Sequence, residues 1–237
     1  MTVLEIVAQS PRDARVAVGN GADRVELCQA LITGGITASH AVMAGAVDAV
    51  GGERVAALIR PRPGGYVYDD DEIDVVAADI RHAVALGIGA VVIGALRPNL
   101  SVDVTAVERW REAAGDADLV FHRAIDVHPD PVAAVGELVQ LGVTRILTSG
   151  GATRAGDGAA VLADMVRSAD GRLQIQAGGG VTIDAIPALR AAGVDAIHLS
   201  ARIAVSDGSP AGPGGGVDEY DVVSDALVRS ARAAADA

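Results

Sequence analysis

Four stretches of the chain repeat one pattern of apolar and polar positions: a helix-like segment, a glycine, three residues, then a β-branched residue opening an apolar run. They read "GADRVELC" from Gly21, "GIGAVVIG" from Gly87, "GVTRILTS" from Gly142 and "GVDAIHLS" from Gly193. Each glycine suits the left-handed position that ends a helix, and each run after it has the length of a short buried strand. The four glycines lie 66, 55 and 51 residues apart. That is about twice a βα unit of roughly 30 residues, so each interval holds one further strand and helix.

The further strands are "VLEIVAQ" from Val3, "VAALIRPR" from Val55, "DLVFHR" from Asp118 and "LQIQAGG" from Leu173. Helical patterns separate all eight. "SPRDARVAV" places Ser10 as N-cap and Pro11 in the first helical position, and "DEIDVVAADIRHAVAL" from Asp71 and "DVTAVERWREAA" from Asp103 are equally clear. "PDPVAAVGELVQL", "TIDAIPALRAA" and the carboxy-terminal "VDEYDVVSDALVRSARAAA" continue the alternation as helices. Eight βα units in 237 residues predict an α/β protein, a single-domain (β/α)8 TIM barrel spanning residues 1–237, ahead of an open doubly wound sheet.

Alternate residues of a barrel strand face the helices or the interior. In the four repeated strands Val25 and Leu27, Val91 and Ile93, Ile146 and Thr148, and Ile197 and Leu199 form the helix-facing set. Glu26 and Cys28, Val92 and Gly94, Leu147 and Ser149, and His198 and Ser200 then point inward. Polarity collects inside. The one low-complexity stretch, "SDGSPAGPGGG" at 206–216, falls between the last strand and the last helix, where it serves either as a lid over the mouth or as a plain linker.

Active sites of such barrels gather at the carboxy-terminal strand ends. The ionisable residues predicted there are Glu5, Glu26, Arg60, His122 and His198, and they are the catalytic candidates, since buried charges must pair and pairing shifts pKa values. The alternative is a purely structural network in which Arg60 neutralises Glu5 or Glu26 and the histidines fill hydrogen-bond positions. Two glycine-rich strand ends, "TSGG" with Ser149 and Gly150 and "QAGGG" with Gly178, Gly179 and Gly180, offer bare amides for a phosphate or carboxylate, and Ser200 joins them. Glycines required only for tight turns explain the same pattern.

Composition narrows the chemistry. Acidic residues outnumber basic ones 31 to 19, for a net charge of -12, which argues against nucleic-acid and anionic-membrane partners. Phe121 and Trp110 are single examples of their kinds, so no stacking platform for bases exists. Every one of the 19 basic residues is arginine, and with no lysine, Schiff-base chemistry is excluded. Cys28 is the single cysteine, which excludes an intramolecular disulfide and a cysteine-rich zinc site. The opening "MTVLEIVAQS" has no secretory pattern, and the run "ALGIGAVVIGAL" from Ala85 is too short to span a bilayer, so a cytoplasmic protein is expected. Cu(I) prefers soft ligands, and Cys28 with His122 or His198 forms a faint candidate site; Met43 and Met165 fall on helices, where a core role is the default.

The segments "NGADRVELC" from Asn20, "GGITAS" from Gly34, "IRPRPGGYVYDDDE" from Ile59, "FHRAID" from Phe121, "LTSGG" from Leu147 and "AGGGV" from Ala177, in this order, resemble the copper homeostasis protein family called CutC. The resemblance implies a (β/α)8 barrel, a cytoplasmic location, a homo-oligomer such as a dimer or tetramer, and a role in copper handling with copper bound through Cys28. The chain departs from the pattern near Leu4, Glu5 and Ile6, where some relatives carry a second cysteine, and in its glycine-rich segment after the eighth strand. Two function classes follow: a copper-binding homeostasis protein, and a barrel enzyme using acid and base groups on a small phosphorylated or carboxylated substrate.

Overall fold

The computed structural model describes residues 2–206, 208–209, 212–213 and 218–237. Its elements alternate as the apolar pattern predicts: β1 Val3–Ala8, α1 Pro11–Gly19, β2 Arg24–Leu27, α2 His40–Val50, β3 Val55–Leu58, α3 Asp70–Ala85, β4 Ala90–Ile93 and α4 Val104–Ala114. The second half continues with β5 Asp118–Phe121, α5 Pro131–Gln140, β6 Arg145–Thr148, α6 Ala159–Ala169, β7 Gln174–Ala177, α7 Ile186–Ala191 and β8 Ala196–Leu199. Strands β1 to β8 pair in sequence order, all parallel, and β8 closes on β1. The chain is a single (β/α)8 barrel.

Local chemistry sets the helix starts. Ser10 accepts a hydrogen bond from the Asp13 amide with Pro11 in the first turn, and Asp69 and Glu72 form a capping box at α3. Asp103 and Asp130 cap α4 and α5 in the same way. The helix-facing strand residues, among them Leu4, Ile6, Val25, Leu27, Val91, Ile146 and Ile197, pack with Trp110 and the inner helix faces into the main core. At roughly 1.5–3 kcal/mol for each large side chain taken out of water, this layer supplies most of the cohesion. A second, smaller apolar layer lies inside the barrel and contains Val7, Cys28, Ala56, Leu58, Ala90, Val92, Val120 and Leu147. The two layers divide by residue parity as predicted.

The carboxy-terminal segment differs from its expectation as one helix. Tyr220–Val223 is a strand, β10, antiparallel to β9 at Arg202–Val205, and α8 begins only at Asp225 after the Ser224 N-cap. Val222 and Val223 are β-branched and find a partner strand just past β8, and the Val223 amide is bonded to Asp13 Oδ1 at 3.0 Å. The pair β9 and β10 therefore stands beside the mouth. Residues 207, 210, 211 and 214–216 of the stretch expected to be either a lid or a plain linker lie outside the described residues.

Candidate functional site

Strand register builds the floor of the site. Glu5 lies beside Arg24 of β2 on one flank and His198 of β8 on the other. Its Oε2 accepts from Arg24 Nε at 2.5 Å, its Oε1 meets His198 Nδ1 at 2.8 Å, and Gln176 of β7 donates to the same Oε1. Arg24 Nη2 closes the ring on Gln176 Oε1 at 2.9 Å. Burial alone would raise the Glu5 pKa, but Arg24 and His198 outweigh it and hold the carboxyl well below the usual range.

Glu26 sits two residues further along β2, buried, with no hydrogen-bond partner for Oε2 among the described residues. Burial pushes its pKa up to about 7; the Glu5 charge adds to this and His198 opposes it. For His198, burial disfavours the cation, yet Glu26 and Glu5 prevail and raise its pKa. These two groups are an acid and a base in contact with a pocket near neutral pH.

His122 ends β5 in a different environment. Its Nδ1 accepts the Ala124 amide at 3.2 Å, which fixes the proton on Nε2, and that atom is buried without a partner among the described residues. Burial and then the Arg60 charge push its pKa down to about 3, so the ring is neutral at physiological pH and serves as a hydrogen-bond donor. Gly94 makes room for it: a Cβ there would fall 2.3 Å from Nδ1.

Arg60 follows β3 and is 5% exposed. Its Nη1 donates to Gly35 O at 3.0 Å and Nη2 to Gly64 O at 2.6 Å, and its guanidinium carbon lies 5.3 Å from the centre of the Tyr66 ring. The other neighbour of Tyr66 is His122, with ring centres 4.9 Å apart. Neither Glu5 nor Glu26 pairs with Arg60, contrary to the structural alternative; Arg24 takes that place, and Arg60 has no carboxylate partner among the described residues.

Above these groups a cavity of about 720 Å³ opens at the carboxy-terminal mouth. Glu26, Arg60, His122, His198, Ser200, Gly179 and Gly180 line it, with apolar walls from Val7, Leu58 and Leu147 and two further cations, Arg123 and Arg202. Arg123 is paired with Asp126 at 2.7 Å and Arg202 with Asp221 at 2.7 Å.

Other expected site residues stand elsewhere. Glu5 lies one layer below the cavity wall, where Val7 of the same strand takes the lining position. Ser149 and Gly150 do not line the cavity, because the "TSGG" amides already hold an anion of the chain itself. Ser149 N reaches Asp126 Oδ1 at 2.9 Å, Gly151 N the same oxygen at 3.3 Å, and Gly150 N bonds Thr148 Oγ1 at 2.9 Å. Gly178 packs against the barrel interior, where a Cβ would fall 2.4 Å from Leu147 Cδ1, and its amide is bonded to Thr148 O. Arg24 joins the site from the opening position of β2, where two-residue periodicity from Glu26 also points it inward.

Cys28 is fully buried inside the barrel and does not border the cavity. Burial and the Glu26 charge push its thiol up to about 12, which disfavours the thiolate a copper ion requires. The group of described residues whose donor atoms come together is instead Glu5, Glu26 and His198, within 4.8 Å. Carboxylate oxygens do not suit Cu(I), His198 is the one softer donor of the three, and Glu5 is already saturated by Arg24, Gln176 and His198. These residues do not fit a Cu(I) site.

Fold and site together define a (β/α)8 barrel with an ionisable cavity at its carboxy-terminal mouth, the arrangement of a small-molecule site. The family model described as the CutC family matches residues 2–203, and the chain belongs to that family. A CutC family protein of Aliivibrio fischeri is 41% identical over 202 residues, covering 84% of this chain and 81% of the relative. One from Xanthomonas campestris is 42% identical over 204 residues, covering 84% and 83%. The crystal structure of CutC from Streptococcus agalactiae, described as a proposed copper homeostasis protein, superposes with a TM-score of 0.77 at 34% identity, covering 84% of this chain and 98% of that one. Thiamine phosphate pyrophosphorylase of Pyrococcus furiosus, at 14% identity and a TM-score of 0.59 over 99% of this chain and 95% of that one, shares the fold alone. Among the described residues no helix is long and apolar enough to cross a membrane.

Proposed function

We propose that this CutC family chain is a cytoplasmic, homo-oligomeric barrel enzyme that acts by acid and base chemistry on a small carboxylated or phosphorylated molecule. Arg60 carries the reading: a guanidinium 5% exposed, bordering a cavity, with no carboxylate partner among the described residues. An uncompensated buried cation is costly, and an anionic ligand removes the cost when it binds. Glu26 and His198 then exchange protons with the ligand, and the neutral His122 donates to it from Nε2. Glu5 holds and charges His198 from below.

The test is thermal shift and titration calorimetry with a panel of carboxylated and phosphorylated metabolites. At least one should stabilise the wild type and fail to stabilise a folded Arg60→Gln variant. A silent panel, or an Arg60→Gln variant that responds like the wild type, overturns the reading.

The copper role belongs to the family's description, and for this chain it would run through Cys28. The high thiol pKa and apolar surroundings weigh against that route. Cys28→Ser is expected to leave Cu(I) binding, measured by chelator competition, unchanged from the wild type; its loss would restore the cysteine site.

A further inference from the structure

Three residues that line the cavity, Glu26 of β2, Arg60 after β3 and His122 after β5, each keep a buried polar atom with no partner among the described residues: Glu26 Oε2, Arg60 Nε and His122 Nε2. Arg60 and His122 pack on the same Tyr66 ring, which places a cation next to a neutral donor. A carboxylate bonded directly to a carbonyl carbon presents the matching pair, an anion next to a neutral acceptor. We infer that the cavity takes a 2-oxo carboxylate and transfers a proton at the carbon beside its keto group, with Arg60 facing the carboxylate, His122 donating to the keto oxygen and Glu26 acting as base. This rests on the reading of the cavity as an anion site.

A carboxylate fits better than a phosphate. Each Nη of Arg60 already gives one of its hydrogens to a carbonyl, of Gly35 or Gly64, Arg123 and Arg202 each have a carboxylate, and Asp126 occupies the Ser149 and Gly151 amides of "TSGG". One spare charge suits a monoanion, whereas a phosphate dianion calls for more donors. With no lysine in the chain, activation of the keto group by a Schiff base is closed. Polarisation by a hydrogen bond takes its place, and a neutral imidazole donates without first losing its own proton to solvent.

The C3–H bond breaks and its proton passes to the Glu26 carboxylate; the electron pair forms the C2=C3 bond, and the carbonyl π pair moves onto the oxygen held by His122. Return of a proton from Glu26 to C3 restores the keto acid. Burial keeps the Glu26 pKa near 7, so the base form is populated at neutral pH.

In D2O, proton NMR should show wild-type protein exchanging the C3 hydrogens of pyruvate, 2-oxobutanoate or 2-oxopentanoate about 100-fold faster than buffer. Glu26→Gln should return the rate to that of buffer, and His122→Phe, which keeps the ring against Tyr66, should lower it about as far. No exchange above buffer with any of the three, while other small anions stabilise the protein through Arg60, overturns the 2-oxo inference and leaves the anion site standing. Exchange unaffected by Glu26→Gln overturns it as well. Absence of both exchange and stabilisation removes the anion site with it.

Discussion

His122 and His198 are both buried, both inward-facing and both at the carboxy-terminal reach of a barrel strand, yet their pKa values move in opposite directions. Beside His198, β1 and β2 contribute Glu5 and Glu26, and the ring is driven toward the cation. Beside His122, the neighbours are Arg60, Tyr66 and a backbone amide, and the ring stays neutral. The difference teaches that a strand-end histidine has no fixed role. What the adjacent strands place at the same height decides whether it carries charge or donates a neutral hydrogen bond.

The largest effect is expected on the His198 side. Arg24→Met strands the Glu5 carboxylate in the floor and should cost about 3–5 kcal/mol in urea denaturation at pH 7. Because the folded Glu5 pKa is depressed, its contribution is present above the ordinary value of 4.5 and is lost as pH falls below it. The deficit of Arg24→Met should shrink over that window; a constant deficit would mean that Arg24 acts through packing alone.

On the His122 side, Gly94→Ala sets a methyl where Nδ1 lies, 2.3 Å away, and should cost about 1–3 kcal/mol by displacing the ring. Nitrogen-15 NMR of the wild type should report a neutral ring with its proton on Nε2 from pH 5 to 8, roughly two units above its folded pKa at the acid end. A ring that charges near 6.5 would erase the contrast with His198.

An effect of similar size, visible only against pH, belongs to Glu26. Its folded pKa is raised from 4.5 to about 7, so its contribution is full below 4.5 and is lost as pH rises through 7. Between pH 5 and 8 the wild type should lose about 2–3 kcal/mol relative to Glu26→Gln, measured by denaturation at each pH. Equal slopes would place the carboxyl in an ordinary environment. Cys28→Ala, away from both histidines, should change stability least, by about 1 kcal/mol for the small cavity it leaves.

The barrel is legible because the helix-ending glycines, four of them at double-unit spacing, and the two-residue parity of the strands are local signals. Parity also identified Glu26, His122 and His198 correctly as inward. Parity does not rank heights, so it does not separate Glu5 on the floor from the residues at the mouth, and the rule that sites gather at strand ends does not reach Arg24, which opens its strand. The "TSGG" and "QAGGG" segments read alike as anion cradles. Only the 3-10 turn at Arg123–Val127 folds Asp126 back onto the first, and no short-range pattern records which carboxylate a loop will bring home. The strand Tyr220–Val223 was lost to a helical periodicity that continues beyond it, since its partner lies across residues with no pattern at all.

The ring of Glu5, Arg24 and Gln176 joins strands β1, β2 and β7 beneath the cavity. It makes the barrel a cup with an ionic base, not a pipe. Under the proposed function, a molecule reaching the cavity passes the rim that carries Arg202, beside β9 and β10, and that rim is where the pace of exchange with solvent would be set.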